Sequence, residues 1–116
     1  MLPARPARVL RAFLADGRLE RIPAQDKKRQ VILRLLAEAD FEPDRGYPEE
    51  EVNQRLALRH PDVAALRRYL VDSRYMERPA GVYRLRPRTD WPVLDGWPTQ
   101  DALDAETRLR LRPTAF

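Results

Sequence analysis

Two short helical patterns, separated by a proline turn and followed at once by a hairpin pattern, constrain the fold most. Pro48 suits the first position of a helix, where no N–H donor is needed, and a helical pattern continues from it to about Leu58. His60-Pro61-Asp62 repeats this arrangement before a second helix over 62–73. Two helices joined by three or four residues predict a helix-turn-helix. The apolar residues expected to be buried are Val52, Leu56, Val63, Leu66 and Leu70.

Residues 75–86 have the pattern of a β-hairpin. Tyr75-Met76-Glu77 and the run 82–86 are separated by Arg78-Pro79-Ala80-Gly81, where proline and glycine suit a tight or slightly widened turn. Tyr83 and Leu85 are expected to face inward. A hairpin directly after the second helix occupies the position of a wing.

A longer helix is predicted upstream, over 25–39, because Val31, Ile32, Leu35, Leu36 and Ala39 recur at the spacing of one buried helical face. The connector 41–48 contains two prolines and a glycine, and Phe41 and Tyr47 are its expected anchors in the core. The predicted fold is therefore mainly α with a small β-hairpin, winged helix-turn-helix-like.

The chain of 116 residues has the length of one domain with short attachments. Residues 1–24 are expected to form an N-terminal helix, over 7–15, and a connector, with Asp16-Gly17 ending the helix. Residues 25–86 form the winged-helix-like core. Residues 87–116 form a Pro/Trp-rich tail with a helix over 99–109, and its aromatic side chains need to be covered by this core or by a partner.

The residue inventory argues against an enzyme. The chain has no cysteine and no apolar stretch suited to export or a membrane span, so we expect a cytoplasmic protein with no membrane partner. The lone His60 stands in a helix-capping position, and no Gly-rich phosphate loop is present. Glu49, Glu50 and Glu51 occupy adjacent helical positions and point apart. We predict no catalytic residue, no cofactor and no metal site.

Double-stranded DNA is the predicted partner. On helix 62–73 the outward face carries Ala64, Ala65 and Arg68, small residues with one arginine, as a helix entering a major groove requires. The predicted phosphate contacts are Arg78, Arg84 and Arg86 on the wing and Lys27, Lys28 and Arg29 at the start of helix 25–39.

Two alternatives to a DNA-binding face remain open, and the first is that helix 62–73 is a core helix whose outward face is merely solvated. The arginines could be an ordinary solvated surface in a chain where arginine outnumbers lysine 20 to 2. Against DNA binding, the carboxylates Glu49 to Glu51 would repel phosphate. Arg67 lies nearer the buried edge of helix 62–73, and we expect it to be held by a carboxylate, with the acidic block 35–51 as a source.

The second functional hypothesis is a protein-interaction or dimerisation module of the same fold that acts without DNA. Its predicted surface consists of Trp91, Trp97 and Leu103 in the tail. Dimerisation through this surface could also coexist with DNA binding, because a homodimer of winged helices reads two half-sites.

The chain resembles a prokaryotic domain-of-unknown-function family, number two thousand and eighty-seven, over about residues 13–86. The residues that carry the resemblance are Asp16-Gly17-Arg18-Leu19, Ile22-Pro23-Ala24, Lys27-Lys28-Arg29, Tyr47, Glu51-Val52-Asn53, the run 66–72 and Tyr83-Arg84. The family occurs alone or fused behind helix-turn-helix regulators. The resemblance therefore implies a role in transcriptional control, by DNA binding or through another protein, and assigns no site residues.

Overall fold

Five α-helices and two short antiparallel hairpins make up the computed structural model in the residues it describes, which are 2–94, 96–97 and 103–113. This confirms the mainly helical fold class. The elements are α1 (Ala4–Phe13), β1 (Leu14–Ala15), β2 (Arg18–Leu19), α2 (Asp26–Asp40), α3 (Glu49–Ala57), α4 (Val63–Asp72), β3 (Met76–Glu77), β4 (Arg84–Leu85) and α5 (Ala105–Leu111). Single 3₁₀ turns span Pro79–Gly81 and Arg88–Asp90.

Helix α2 is the centre of the core. The predicted face of α2 is buried except at Ala39, which is half-buried. All eight residues from 31 to 38 are buried, because α1, α4 and the tail together surround the helix. A helix covered on every side departs from the single buried stripe that its periodicity indicates. Arg34 and Glu38 are consequently enclosed together with the apolar residues.

The helix-turn-helix is formed by α3 and α4, which pack against each other. Pro48 directly precedes α3, and the Asp62 carboxylate caps α4 by accepting the Ala65 N–H at 3.1 Å. His60 Nδ1 accepts the Asp62 N–H at 3.0 Å, in keeping with its expected capping position. The connection, 58–62, is slightly longer than predicted.

The wing is the hairpin β3–β4, in which Met76 lies opposite Leu85. The connector adds a third extended segment beside it, because Tyr47 and Tyr83 exchange two backbone hydrogen bonds of 2.7 and 2.8 Å. Phe41 and Tyr47 are buried in an edge-to-face contact, as expected of anchors. The order of helix, extended segment, two helices and hairpin is winged-helix-like.

The terminal segments depart from their predicted bounds. Helix α1 begins and ends a few residues earlier than expected, and Asp16-Gly17 forms the turn of the β1–β2 hairpin, with positive φ at both residues. The predicted tail helix 99–109 appears as α5, from 105 to 111, and residues 98–102 lie outside the described residues. No helix within the described ranges is long and apolar enough to cross a membrane.

Candidate nucleic-acid interface

A groove of about 240 Å³ separates the outward face of α4 from the wing. It contains three arginines from the two elements. Its lining residues are Ala64, Arg67, Arg68, Val71 and Asp72 of α4, with Arg78 and Tyr83 of the wing. Three predicted DNA contacts therefore line this groove, Ala64 and Arg68 on α4 and Arg78 on the wing.

Arg68 and Ala64 form the open part of α4. Both are exposed, and Arg68 has no ion pair among the residues that the structure describes. Its guanidinium carbon lies 5.6 Å from the ring centre of Tyr69, on the same helix. Ala65 is half-buried and stands outside the groove lining, so it borders this surface.

Glu49, at the start of α3, stands between the helix and the wing. Its carboxylate oxygen lies 3.7 Å from Arg67 Nε and 3.7 Å from Arg78 Nη1, and it accepts a 3.2 Å hydrogen bond from the Tyr83 hydroxyl. Arg67 also donates to the side-chain oxygen of Asn53. Glu49 belongs to the acidic block, so the expected partner of Arg67 is confirmed. Sequence reasoning missed that Glu49 contacts the wing as well.

The wing arginines differ in their availability. Arg84 is exposed and has no ion pair within the described part of the chain. Arg86 is half-buried, with Nη1 3.8 Å from Glu77 and Nη2 3.3 Å from Asp90. Arg78 is 55% exposed despite its contact with Glu49. Arg84 and Arg78 are therefore the wing arginines open to phosphate, whereas Arg86 is engaged in internal ion pairs.

The basic start of α2 lies apart from the groove lining. Arg29 donates to the carbonyls of Pro23 and Ala24 at 3.2 and 2.9 Å and stacks over Tyr69 at 4.5 Å, so its side chain is only 16% exposed. Lys27 and Lys28 are exposed, but neither lines the groove. Arg29 is thus engaged in local contacts, and the phosphate contacts of Lys27, Lys28 and Arg29 stay predictions.

The carboxylates of Glu49 and Glu51, two residues apart on α3, have separate partners. Glu51 binds Arg45 and Arg55 at 2.8 and 2.9 Å, while Glu49 is directed at Arg67 and Arg78. Among the described residues, no three His, Asp or Glu side chains are grouped as metal ligands. These acidic residues organise arginines on the α3–α4 surface.

The tail residues predicted as an interaction surface are covered by this chain. Trp91, Trp97 and Leu103 are 4%, 2% and 7% exposed and belong to the common core. The guanidinium of the buried Arg34 lies 5.7 Å from the Trp91 ring and 4.4 Å from the Trp97 ring. Of the two covers that the sequence left open for these side chains, this core or a partner, the structure shows this core.

Fold and groove together define a winged-helix-like protein. A family model described as "Uncharacterized protein conserved in bacteria (DUF2087)" matches residues 18–85, more than half of the chain. The chain belongs to this family. The matched segment extends from β2 to the end of β4 and leaves out α1 and the tail. Comparison with curated proteins found no match, and comparison with solved structures found none either.

Proposed function

We propose that this protein is a winged-helix DNA-binding protein that acts in transcriptional control. In this proposal α4 enters the major groove, where Ala64 allows a close approach and Arg68 contacts a guanine edge or a phosphate. Arg78 and Arg84 bind the phosphate backbone from the wing. The observation that carries the proposal is the exposed Arg68 beside a small residue, opposite the wing arginines.

The electrostatics of the face favour a salt-dependent interaction. Arg68 and Arg84 are exposed without ion pairs in the described residues, so phosphates can replace water and counterions around them. Glu49 and Asp72 oppose phosphate on the same face. We therefore expect nonspecific affinity in the micromolar range or weaker, about 10⁻⁴ to 10⁻⁶ M near physiological salt.

The alternative of a protein-interaction module has less support, because Trp91, Trp97 and Leu103 are buried in the core of this chain. A partner that used them would have to displace the tail from the core. Removing the tail in this way would expose the apolar core surface that these side chains now cover, at a considerable free-energy cost. DNA binding requires no such rearrangement, since its candidate residues are already exposed.

Fluorescence anisotropy with a random-sequence duplex, at salt between about 50 and 200 mM, tests the proposal. The wild type is compared with Arg68→Ala and Arg84→Ala. Arg110→Ala is the control, since it removes the same charge from a 74% exposed arginine on α5, outside the groove.

We expect binding that weakens as salt rises, and a log–log salt slope that decreases by up to about 0.9 for each phosphate contact removed. Arg110→Ala should bind as the wild type does. Equal losses in all three variants would show attraction by net charge alone. Undetectable binding at the lowest salt would rule out the proposed function.

A further inference from the structure

Helix α4 has two flanks, and the groove beside the wing lies along only one of them. At about 100° per residue, Ala64 and Arg67 share the flank that faces the wing. Tyr69 and Ser73 share the opposite flank, and neither lines the groove. The exposed Arg68 lies between the two flanks, so what borders the second one also borders the proposed DNA-binding face.

The second flank of α4 packs against the start of α2. The Arg29 guanidinium lies 4.5 Å from the Tyr69 ring centre and also donates to two backbone carbonyls of the segment before α2. Gln30 Nε2 donates to the Ser73 hydroxyl at 3.0 Å. These contacts hold the start of α2, and the segment that leads into it, beside α4 on the side away from the wing.

Two cations of this region lie over the ring of Phe13, at the end of α1. The guanidinium carbon of Arg21 is 5.2 Å and Lys28 Nζ is 5.9 Å from the ring centre. Both side chains belong to exposed residues, and neither forms an ion pair within the part of the chain that the structure describes. An anion placed near this ring would therefore be attracted by both charges.

The nearby carboxylates leave this pair of cations net positive. Asp26, in the first turn of α2, is bound by Arg29, with Nη2 3.0 Å from Oδ1. Glu20 is exposed beside Arg21 and lowers the local positive potential by one charge against the two of Arg21 and Lys28. The second flank of α4 is thus bordered by a cationic surface, as the first is bordered by the arginines of the wing.

We propose that Arg21 and Lys28 bind the phosphates of one DNA strand while Arg78 and Arg84 of the wing bind those of the other. This inference rests on the proposed function. A major groove, about 12 Å wide, admits one helix and is bordered by a phosphate backbone on each side. Cations on both flanks of α4 match this arrangement, and they make the partner a duplex in which the helix is held between two strands.

Substitution by glutamine tests the role of the two cations. Arg21→Gln and Lys28→Gln remove the charges and keep side-chain stems that can cover Phe13, so the fold should persist. Arg11→Gln is the matched control, because Arg11 is exposed on the same helix as Phe13 but lines a cleft with α5. Fluorescence anisotropy with the random-sequence duplex measures the affinity, and circular dichroism shows whether each variant is folded.

We expect Arg21→Gln and Lys28→Gln each to weaken binding about fivefold at about 100 mM salt and to lower the log–log salt slope by up to about 0.9. Arg11→Gln should leave both quantities as in the wild type. These losses should add to that of Arg84→Ala, because the two groups of cations contact different phosphates.

A duplex in which one strand carries neutral methylphosphonates tests the assignment to two strands. Only one flank of α4 can then face charged phosphates, and the protein can choose its orientation so that the wing does. The Arg21→Gln/Lys28→Gln double variant should therefore lose much less affinity on this duplex than on the native one. If all these cations met the same strand, the losses on the two duplexes would be equal.

The inference is overturned if both folded glutamine variants bind as the wild type does while Arg84→Ala weakens binding, a result that leaves the proposed function standing. Equal losses of the double variant on the two duplexes also overturn it. Undetectable binding by the wild type overturns the proposed function and this inference together.

Discussion

Arg59 and Asp40 form a bidentate ion pair inside the protein, with Arg59 Nη2 2.6 Å from Oδ1 and Nε 3.0 Å from Oδ2 of Asp40. Asp40 ends α2, and Arg59 lies in the turn between α3 and α4. The same guanidinium donates to the carbonyl of Gly17, at 2.8 Å, and to that of Leu111. One side chain therefore connects the β1–β2 turn and the end of α5 to the helix-turn-helix.

Arg59→Ala should destabilise the fold by about 3 to 5 kcal/mol, because it leaves a buried carboxylate without its partner. Burial already raises the pKa of Asp40, and the hydrogen bonds from Arg59 oppose that rise. Urea denaturation measures the free energy of unfolding. Arg110→Ala is the control, because the Arg110 side chain is 74% exposed, and it should change the free energy of unfolding by less than about 0.5 kcal/mol. Similar values for both variants would contradict the structural role of Arg59.

Gly17→Ala should be more damaging than Gly81→Ala, although both glycines have left-handed φ values, 78° and 81°. An added Cβ at Gly17 would lie 2.6 Å from the Leu111 carbonyl oxygen, whereas at Gly81 nothing lies within 4 Å. The backbone conformation alone should cost about 1 to 2 kcal/mol in each variant. The steric conflict should add about 1 to 3 kcal/mol at Gly17. Equal losses in urea denaturation would mean that α5 does not pack on this turn.

The helix-turn-helix and wing could be predicted because their signals are local. Pro48 and Asp62 mark the helix starts, and the spacing of Leu66 and Leu70 identifies the buried side of α4. Since the buried side was identified, the outward positions of Ala64 and Arg68 followed. The extended pairing of Tyr47 with Tyr83 could not be predicted, because it joins residues with no regular pattern between them.

Features that depend on distant contacts were not accessible from the sequence. Helical periodicity could not show that Arg34 is enclosed, since the tryptophan rings that cover it come from the tail. The sequence also left open whether Trp97 meets its own core or a partner. Arg84 cannot be distinguished from Arg29 and Arg86 by the sequence alone. In the structure Arg29 donates to backbone carbonyls of the segment before α2, and Arg86 forms ion pairs with two carboxylates near the wing.

Tyr75 should make the fold sensitive to alkaline pH. Its side chain is fully buried, its hydroxyl donates to the Gln30 carbonyl at 3.1 Å, and burial raises its pKa above the ordinary 10.0. Because the folded pKa exceeds the unfolded one, the stabilisation is complete below pH 10 and is lost as pH rises toward the folded value.

Tyr75→Phe should therefore cost about 0.5 to 1.5 kcal/mol at neutral pH through the lost hydrogen bond. Above about pH 10 the wild type should lose up to about 1.4 kcal/mol per pH unit relative to the variant, so the difference between them shrinks. Urea denaturation at several pH values measures both quantities. A difference that stays constant with pH would show that Tyr75 ionises as readily in the folded protein as in the unfolded chain.

Glu49→Gln should strengthen DNA binding if α4 and the wing contact phosphates as proposed. The carboxylate now lies 3.7 Å from both Arg67 and Arg78, where it reduces their attraction for phosphate. Glutamine retains an acceptor for the Tyr83 hydroxyl, so the local packing should persist. Removing a half-exposed charge of this kind should raise affinity about two- to fivefold at moderate salt. Glu106→Gln is the control for net charge, because it removes a carboxylate on α5 whose side chain is 75% exposed. An equal gain in affinity in both variants would place the bound phosphates away from the α4 groove.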